Sequence, residues 1–298
     1  MIRIQIPATS ANLGSGFDSL GVALTMYNQV WMEVSDETVI TSKDDIKIPT
    51  DKSNLIYWSA EHLYKECGKK LPGLKIIQEN NIPMTRGLGS SSACIVAGLV
   101  GANSFLGNPL TDKDLINLAS QIEGHPDNTT PAIMGGLVTS AIDGDKVYSV
   151  SVPVASNIRF GVFIPPFELS TEYARGVLPD TYTKEQAVFN LSRSSLMTSS
   201  LFSGSLENLR VAVQDQLHQP YRKHLIKGID TVFRISYELG SYGTYISGAG
   251  PTIIAIIDDK HANDFSTHAI TSLEDKGFTG WQFVMLSADS EGAKIILD

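Results

Sequence analysis

Cysteine is scarce: Cys67 and Cys94 are the two in 298 residues, neither sits in a CxxC pair, and no histidine-rich stretch adjoins them. That count argues against a disulfide framework or a zinc site, and the two read as buried or inert thiols of a reducing compartment. Basic clusters are missing as well. No run of five Lys or Arg occurs, and a formal net charge of -9 argues against a nucleic-acid-binding body or a surface for anionic membranes. No apolar run approaches the length of a membrane span, and residues 1–6 alternate too strictly for a signal peptide. The expectation is a cytoplasmic protein whose partners are small molecules, with no nucleic acid and no membrane.

The familiar nucleotide loops are also absent. There is no GxxxxGK[ST], and Gly87-x-Gly89 lacks both the third glycine of a dinucleotide fingerprint and the acidic residue expected about 20 positions on.

What is present is a chain 42% hydrophobic, enough for one or two ordinary cores, with a mixed α/β pattern. Ile2, Ile4 and Ile6 alternate with polar residues, and residues 30–34 are rich in strand formers. Thr111-x-x-Asp114 opens a helix carrying Leu115, Leu118, Ala119 and Ile122 on one face, with Gly124 as its stop. Residues 135–142 and 147–152 predict a hairpin joined through Asp143-Gly144-Asp145. Strands are expected again at 160–164 and 253–257, and a boundary is placed near residue 155. The serine-rich stretch 192–205 carries Leu196, Met197, Leu201 and Phe202, which favour a packed helix or loop over a linker.

Two glycine-serine segments carry the chemistry. The first is Pro7-Ala8-Thr9-Ser10-Ala11-Asn12-Leu13-Gly14-Ser15-Gly16-Phe17-Asp18; the second is Pro83-Met84-Thr85-Arg86-Gly87-Leu88-Gly89-Ser90-Ser91-Ser92-Ala93. The second runs into Ile95, Val96, Leu99 and Val100 at helical spacing. Its serines therefore fall at a helix N-terminus, where free N–H groups and the dipole attract anions. Alone, such a run fits a tight turn equally well.

With Ser247-Gly248-Ala249-Gly250-Pro251-Thr252, these segments resemble the three motifs of the GHMP kinase superfamily, in the same order. Residues 10–24 and Glu123-Gly124-His125-Pro126-Asp127-Asn128 resemble its homoserine kinase family in particular. One mild departure is Thr129-Thr130 where a Val-Ala pair is usual. The resemblance implies an α+β, two-domain fold. Residues 1–155 would form an N-terminal mixed α/β domain with the phosphate-binding loop, and 156–298 a C-terminal ferredoxin-like α/β sandwich.

The resemblance also implies ATP and Mg²⁺ as cofactors and L-homoserine as substrate, with a homodimer among the states it allows. Residues 83–93 would wrap the ATP phosphates, with Ser91 or a neighbour and Glu123 on the metal. Glu123 sits where a helix C-terminus disfavours an anion, so a compensating cation is expected there. Asn12 and Asp18 would meet the substrate, Asp18 suiting its ammonium, and both are catalytic candidates together with Glu123. Arg175 and Arg222 would hold the carboxylate, as a guanidinium fork does better than an ammonium. His125 and Gly248 would line the pocket, while Asp127 and Asn128 could equally hold a turn. With no lysine in the first motif, direct in-line attack without a general base is expected. A mevalonate-type kinase, a diphosphomevalonate decarboxylase and a non-catalytic sensor of the same fold remain alternatives.

Overall fold

The computed structural model describes residues 1–296. The first half of the chain runs β1 (Ile2–Ala11), β2 (Leu20–Ser35), β3 (Val39–Ser42), α1 (Leu55–Glu66), β4 (Gly73–Glu79), α2 (Ser90–Phe105), α3 (Asp112–Glu123), α4 (Pro126–Met134), β5 (Leu137–Asp143) and β6 (Lys146–Val152). The second runs β7 (Ile158–Ile164), α5 (Thr171–Gly176), α6 (Lys184–Ser203), α7 (Leu209–Ala212), α8 (Gln219–Arg222), α9 (Ile229–Glu238), β8 (Gly243–Ile246), β9 (Ile253–Asp258), α10 (Ala262–Glu274), β10 (Gln282–Leu286) and β11 (Lys294–Ile296).

Two sheets organise these elements. The first holds β1 to β6, and β11 returns from the end of the chain to pair antiparallel with β1, so the sheet that opens the chain also closes it. The second is antiparallel in the order β10-β7-β9-β8. Counted from β7, that order is four-one-three-two with helical crossovers after the first and third strands, the ferredoxin-like arrangement. The predicted hairpin forms, with Asp143 opposite Lys146 around Gly144 and Asp145.

Local chemistry explains the helices that shape the site. Thr111 caps α3 reciprocally with Asp114: the Asp114 amide donates to Thr111 Oγ1, and the Thr111 amide donates to Asp114 Oδ2. Leu115, Leu118 and Ala119 then face the core, and Gly124 ends the helix. α2 is apolar nearly all round because it lies inside the first domain, where Ile95, Val96 and Leu99 are fully buried, each stabilising by roughly 1.5–3 kcal/mol. Its burial is what anchors the serines at its start.

The serine-rich stretch lies mostly within α6, with Met197 and Leu201 buried as packing residues. Phe202, also expected to pack, is exposed instead, because it lies on the opposite side of the helix from that pair's buried stripe. Both cysteines are free, and burial together with the charge of Glu123 pushes the Cys94 thiol up to about 12, which keeps it inert. Among the described residues, no helix is long and apolar enough to cross a membrane.

Candidate active site

The three glycine-serine motifs meet at one place. β1 carries the first motif as far as Ala11, after which Asn12 and Leu13 adopt left-handed backbone and turn the chain under the cleft. Asn12 Nδ2 donates to the Gly248 carbonyl at 2.9 Å, and Asn12 Oδ1 accepts from the Asp18 amide at 3.0 Å. Its amide thus clamps the first motif to the third. Ser247 Oγ donates to the Gly87 carbonyl at 2.6 Å, and the Thr9 amide donates to the Leu88 carbonyl at 3.1 Å, tying in the second.

Within residues 83–93, Thr85, Arg86, Gly87, Gly89, Ser90 and Ser91 line a cleft between the three motifs. Leu88, Ser92 and Ala93 are buried beneath it, and Pro83 and Met84 lie outside its lining. The stretch expected to wrap the ATP phosphates is therefore a lining of six residues on a packed base.

Gly87 shows how tightly that base is built. Its φ is +76°, and a Cβ there would lie 2.4 Å from the Ser247 carbonyl oxygen. Gly144 shares a left-handed φ of +62° but has open space. Gly87→Ala is therefore expected to lower the melting temperature by several degrees and weaken nucleotide binding. Gly144→Ala should pay only the left-handed cost of about 1–2 kcal/mol. Equal losses in parallel thermal melts would mean the collision with Ser247 is relieved without cost.

Glu123 ends α3 and lies against the start of α2. Ser91 Oγ donates to its Oε2 at 3.3 Å, and Ser92 Oγ to its Oε1 at 3.0 Å. The cation expected to offset the α3 C-terminus is thus not the sole compensation. Two hydroxyls and the positive end of α2 already face the carboxylate. Among the described residues, no three His, Cys, Asp or Glu side chains gather into a metal site of their own.

On the opposite wall, Arg175 of α5 forks onto Asp18, with Nη1 to Oδ2 at 3.0 Å and Nη2 to Oδ1 at 2.7 Å. That pairing raises the Arg175 pKa against the effect of its partial burial. Arg222, from the short α8, is buried, and desolvation followed by the like charge of Arg175 pushes its pKa down to about 10, still cationic at neutral pH. It donates from Nε to the Ala174 carbonyl at 3.1 Å, and from Nη1 to the Gly248 carbonyl at 3.1 Å and to His218 Nδ1 at 3.2 Å. Among the described residues, none takes its Nη2. Both arginines line the cleft, as do Asn12, Asp18, Glu123, His125 and Gly248.

Several participants carried no sequence signal strong enough to assign them. Asp127 is buried in the first turn of α4 and lies 2.5 Å from His125 Nδ1. Burial disfavours the charged His125 ring, but the bond and charge of Asp127 outweigh it and raise the pKa. Asn128 Oδ1 accepts from Thr9 Oγ1 at 2.7 Å, and both Asp127 and Asn128 line the cleft rather than only holding a turn. Thr171 joins them. A second groove shares Ser91, Glu123, His125 and Thr171 with the first and adds an apolar wall of Leu55, Trp58, Ile95 and Ile122.

Residues 54–136 match the GHMP kinases N terminal domain and 197–271 the GHMP kinases C terminal domain. A homoserine kinase from Caldicellulosiruptor saccharolyticus is 44% identical over 99% of this chain and 96% of its own length. One from Clostridium acetobutylicum is 43% identical over 99% and 100%. The chain belongs to the homoserine kinase family of the GHMP kinases. In agreement, the crystal structure of homoserine kinase from Cytophaga hutchinsonii superposes with a TM-score of 0.89 at 29% identity, covering 99% of this chain and 97% of that one. A mevalonate kinase structure, at 13% identity and a TM-score of 0.72, shares the GHMP kinase fold alone.

Proposed function

We propose that the protein transfers the γ-phosphoryl group of ATP to the side-chain hydroxyl of L-homoserine, giving O-phospho-L-homoserine and ADP in the cytoplasm as a step of threonine biosynthesis. One observation carries this reading: a buried, cationic Arg222 with an unclaimed Nη2 shares a cleft with the amino end of α2. One end of the cleft suits phosphates, the other a small carboxylate.

Homoserine is a zwitterion with a hydroxyl, and the cleft is matched to each part. Asp18 would take the ammonium, while Arg175 and Arg222 would take the carboxylate. Asp18 and Arg175 now neutralise each other, so the zwitterionic ligand exchanges that internal ion pair for two of its own, its ammonium on Asp18 and its carboxylate on Arg175 with Arg222, and leaves the net charge of the three side chains unchanged. Gly87, Gly89 and Ser90 would present backbone donors to the phosphates, and the wall of Leu55 and Trp58 suits the flat face of a nucleobase. Ser91 and Glu123 offer hard oxygen donors at that helix end and fit Mg²⁺, which favours one or two protein ligands alongside nucleotide phosphates. When bound, that ion supplies neutralisation of the β- and γ-phosphate charge.

The residues supply position rather than a base. Each carboxylate of the cleft is already engaged: Asp18 by Arg175, Asp127 by His125, and Glu123 by two serines. In-line attack by the hydroxyl, with its proton leaving to a phosphate oxygen or water, fits a loose transition state that needs little proton transfer early. Incubation with Mg-ATP and L-homoserine is expected to give O-phospho-L-homoserine by phosphorus NMR. Turnover of mevalonate, galactose or shikimate in its place would overturn the assignment.

A further inference from the structure

His218 is fully buried, nothing in the sequence pattern marks it, and phosphoryl transfer as described does not use it. Its surroundings are specific. Nε2 lies 2.7 Å from the Gly14 carbonyl of the first motif, and Nδ1 lies 3.2 Å from Arg222 Nη1. The ring stacks on Phe17 at 5.2 Å between centroids and 20° between planes, and the Arg222 guanidinium sits 5.3 Å from the same phenyl ring. A carbonyl only accepts and a guanidinium only donates, so these two contacts fix both the tautomer and the charge: Nε2 carries the proton and Nδ1 is bare. A protonated ring has no acceptor to offer Arg222.

The charged groups around the ring agree with that state. Burial lowers its pKa, as does Arg222, while Asp215 and Asp18 act in the opposite direction. Asp215 Oδ2 lies 3.7 Å from Nε2, but Asp215 already accepts from Asn190 Nδ2 and from the amides of Leu217, His218 and Gln219. Its charge is spent on the turn that begins α8.

We propose that His218 is a positioning residue for the substrate carboxylate: by accepting from Arg222 at Nδ1 and donating to Gly14 at Nε2, it locks the guanidinium in register with the first motif. The inference rests on the reading that Arg222 holds that carboxylate. Arg222 stands on a helix of four residues and would otherwise have only two carbonyls to aim it.

Two substitutions separate the two halves of this role. In His218→Asn, the amide oxygen replaces Nδ1 and can still accept from Arg222; in His218→Gln, the amide nitrogen replaces Nε2 and can still donate to Gly14. His218→Gln is expected to raise the KM for homoserine about 10–100-fold with little change in the KM for ATP, the range for a lost hydrogen bond to a charged group. His218→Asn should recover most of that loss, although both variants melt lower than wild type. Equal homoserine KM values in the two variants, or a loss shared with ATP, would reduce His218 to packing and overturn the proposal. Nitrogen NMR of ¹⁵N-histidine-labelled wild-type protein supplies a reading independent of variant folding. A neutral Nε2–H ring at pH 7 is expected, and an Nδ1–H or doubly protonated ring would also overturn it. Failure of wild-type protein to prefer homoserine over its methyl ester, with the tautomer as expected, would instead count against the carboxylate role of Arg222.

Discussion

Glu123→Gln is expected to reduce turnover by about 10²–10³-fold while leaving the fold intact, the scale for losing one preorganised electrostatic partner of a developing charge. The substitution keeps the shape and one acceptor oxygen, so a serine bond from the α2 start can persist; only the charge is lost. Stability should change little, because the carboxylate sits unfavourably at the end of α3 and favourably at the beginning of α2, and the two helix-end effects, each about 0.3–1 kcal/mol, oppose. The two roles open to Glu123 differ in their dependence on magnesium. A metal carboxylate predicts that the variant needs more Mg²⁺ to reach its reduced plateau. A mere clamp for Ser91 and Ser92 predicts near-normal turnover at limiting Mg²⁺, and that result would remove Glu123 from the metal site. Thermal melts of both proteins check that the comparison is made between folded enzymes.

How much of this site was legible in the sequence depended on whether its chemistry lay along the chain or across it. The start of α2 was readable because a left-handed glycine, three serines and an apolar helix are contiguous, and anion binding at a helix N-terminus is a local property. The α3 cap and the hairpin around Gly144 were readable for the same reason. The return of β11 to the first sheet was not, since three residues with no distinctive pattern give no sign of pairing with a strand some 290 positions away. Glu123 was placed correctly at its helix end, yet its compensation by α2 depends on two helices meeting. Asp127 looked like a turn residue because Asp serves turns so often, and its burial beside His125 is a tertiary fact. Asn12 stood out in the sequence as a polar candidate of the first motif; that its amide binds Gly248 and Asp18 could not be read there. The network of Asp215, His218 and Arg222 had one available signal, three polar or charged residues within eight positions, too common a spacing to assign.

The two arginines differ in a way that the sequence pairing concealed, and the difference sets the size of each expected effect. Removing either charge-assisted contact by an Arg→Ala change should lower kcat/KM for homoserine by roughly 2–4 kcal/mol, with ATP affinity nearly unchanged. Arg175 is half-exposed and shares its fork with Asp18, so Arg175→Ala frees a carboxylate that the substrate ammonium can still use; its loss should fall at the lower end. Arg222 is buried, and its removal also takes a donor from the Ala174 carbonyl and from His218 Nδ1, while the Gly248 carbonyl keeps only Asn12 Nδ2, so its loss should fall at the upper end with a lower melting temperature. Arg222→Lys restores a charge without the planar fork and should recover stability better than it recovers kcat/KM. The control that isolates recognition from misfolding is homoserine methyl ester, which lacks the carboxylate charge. Wild-type enzyme should prefer the acid strongly, and each alanine variant should lose most of that preference, because a destabilised but correctly shaped site would lose acid and ester turnover alike. Full retention of the acid-over-ester preference in both variants would make the arginines structural. The Gly248 turn and the backbone of the first motif would then be the groups left to meet the carboxylate.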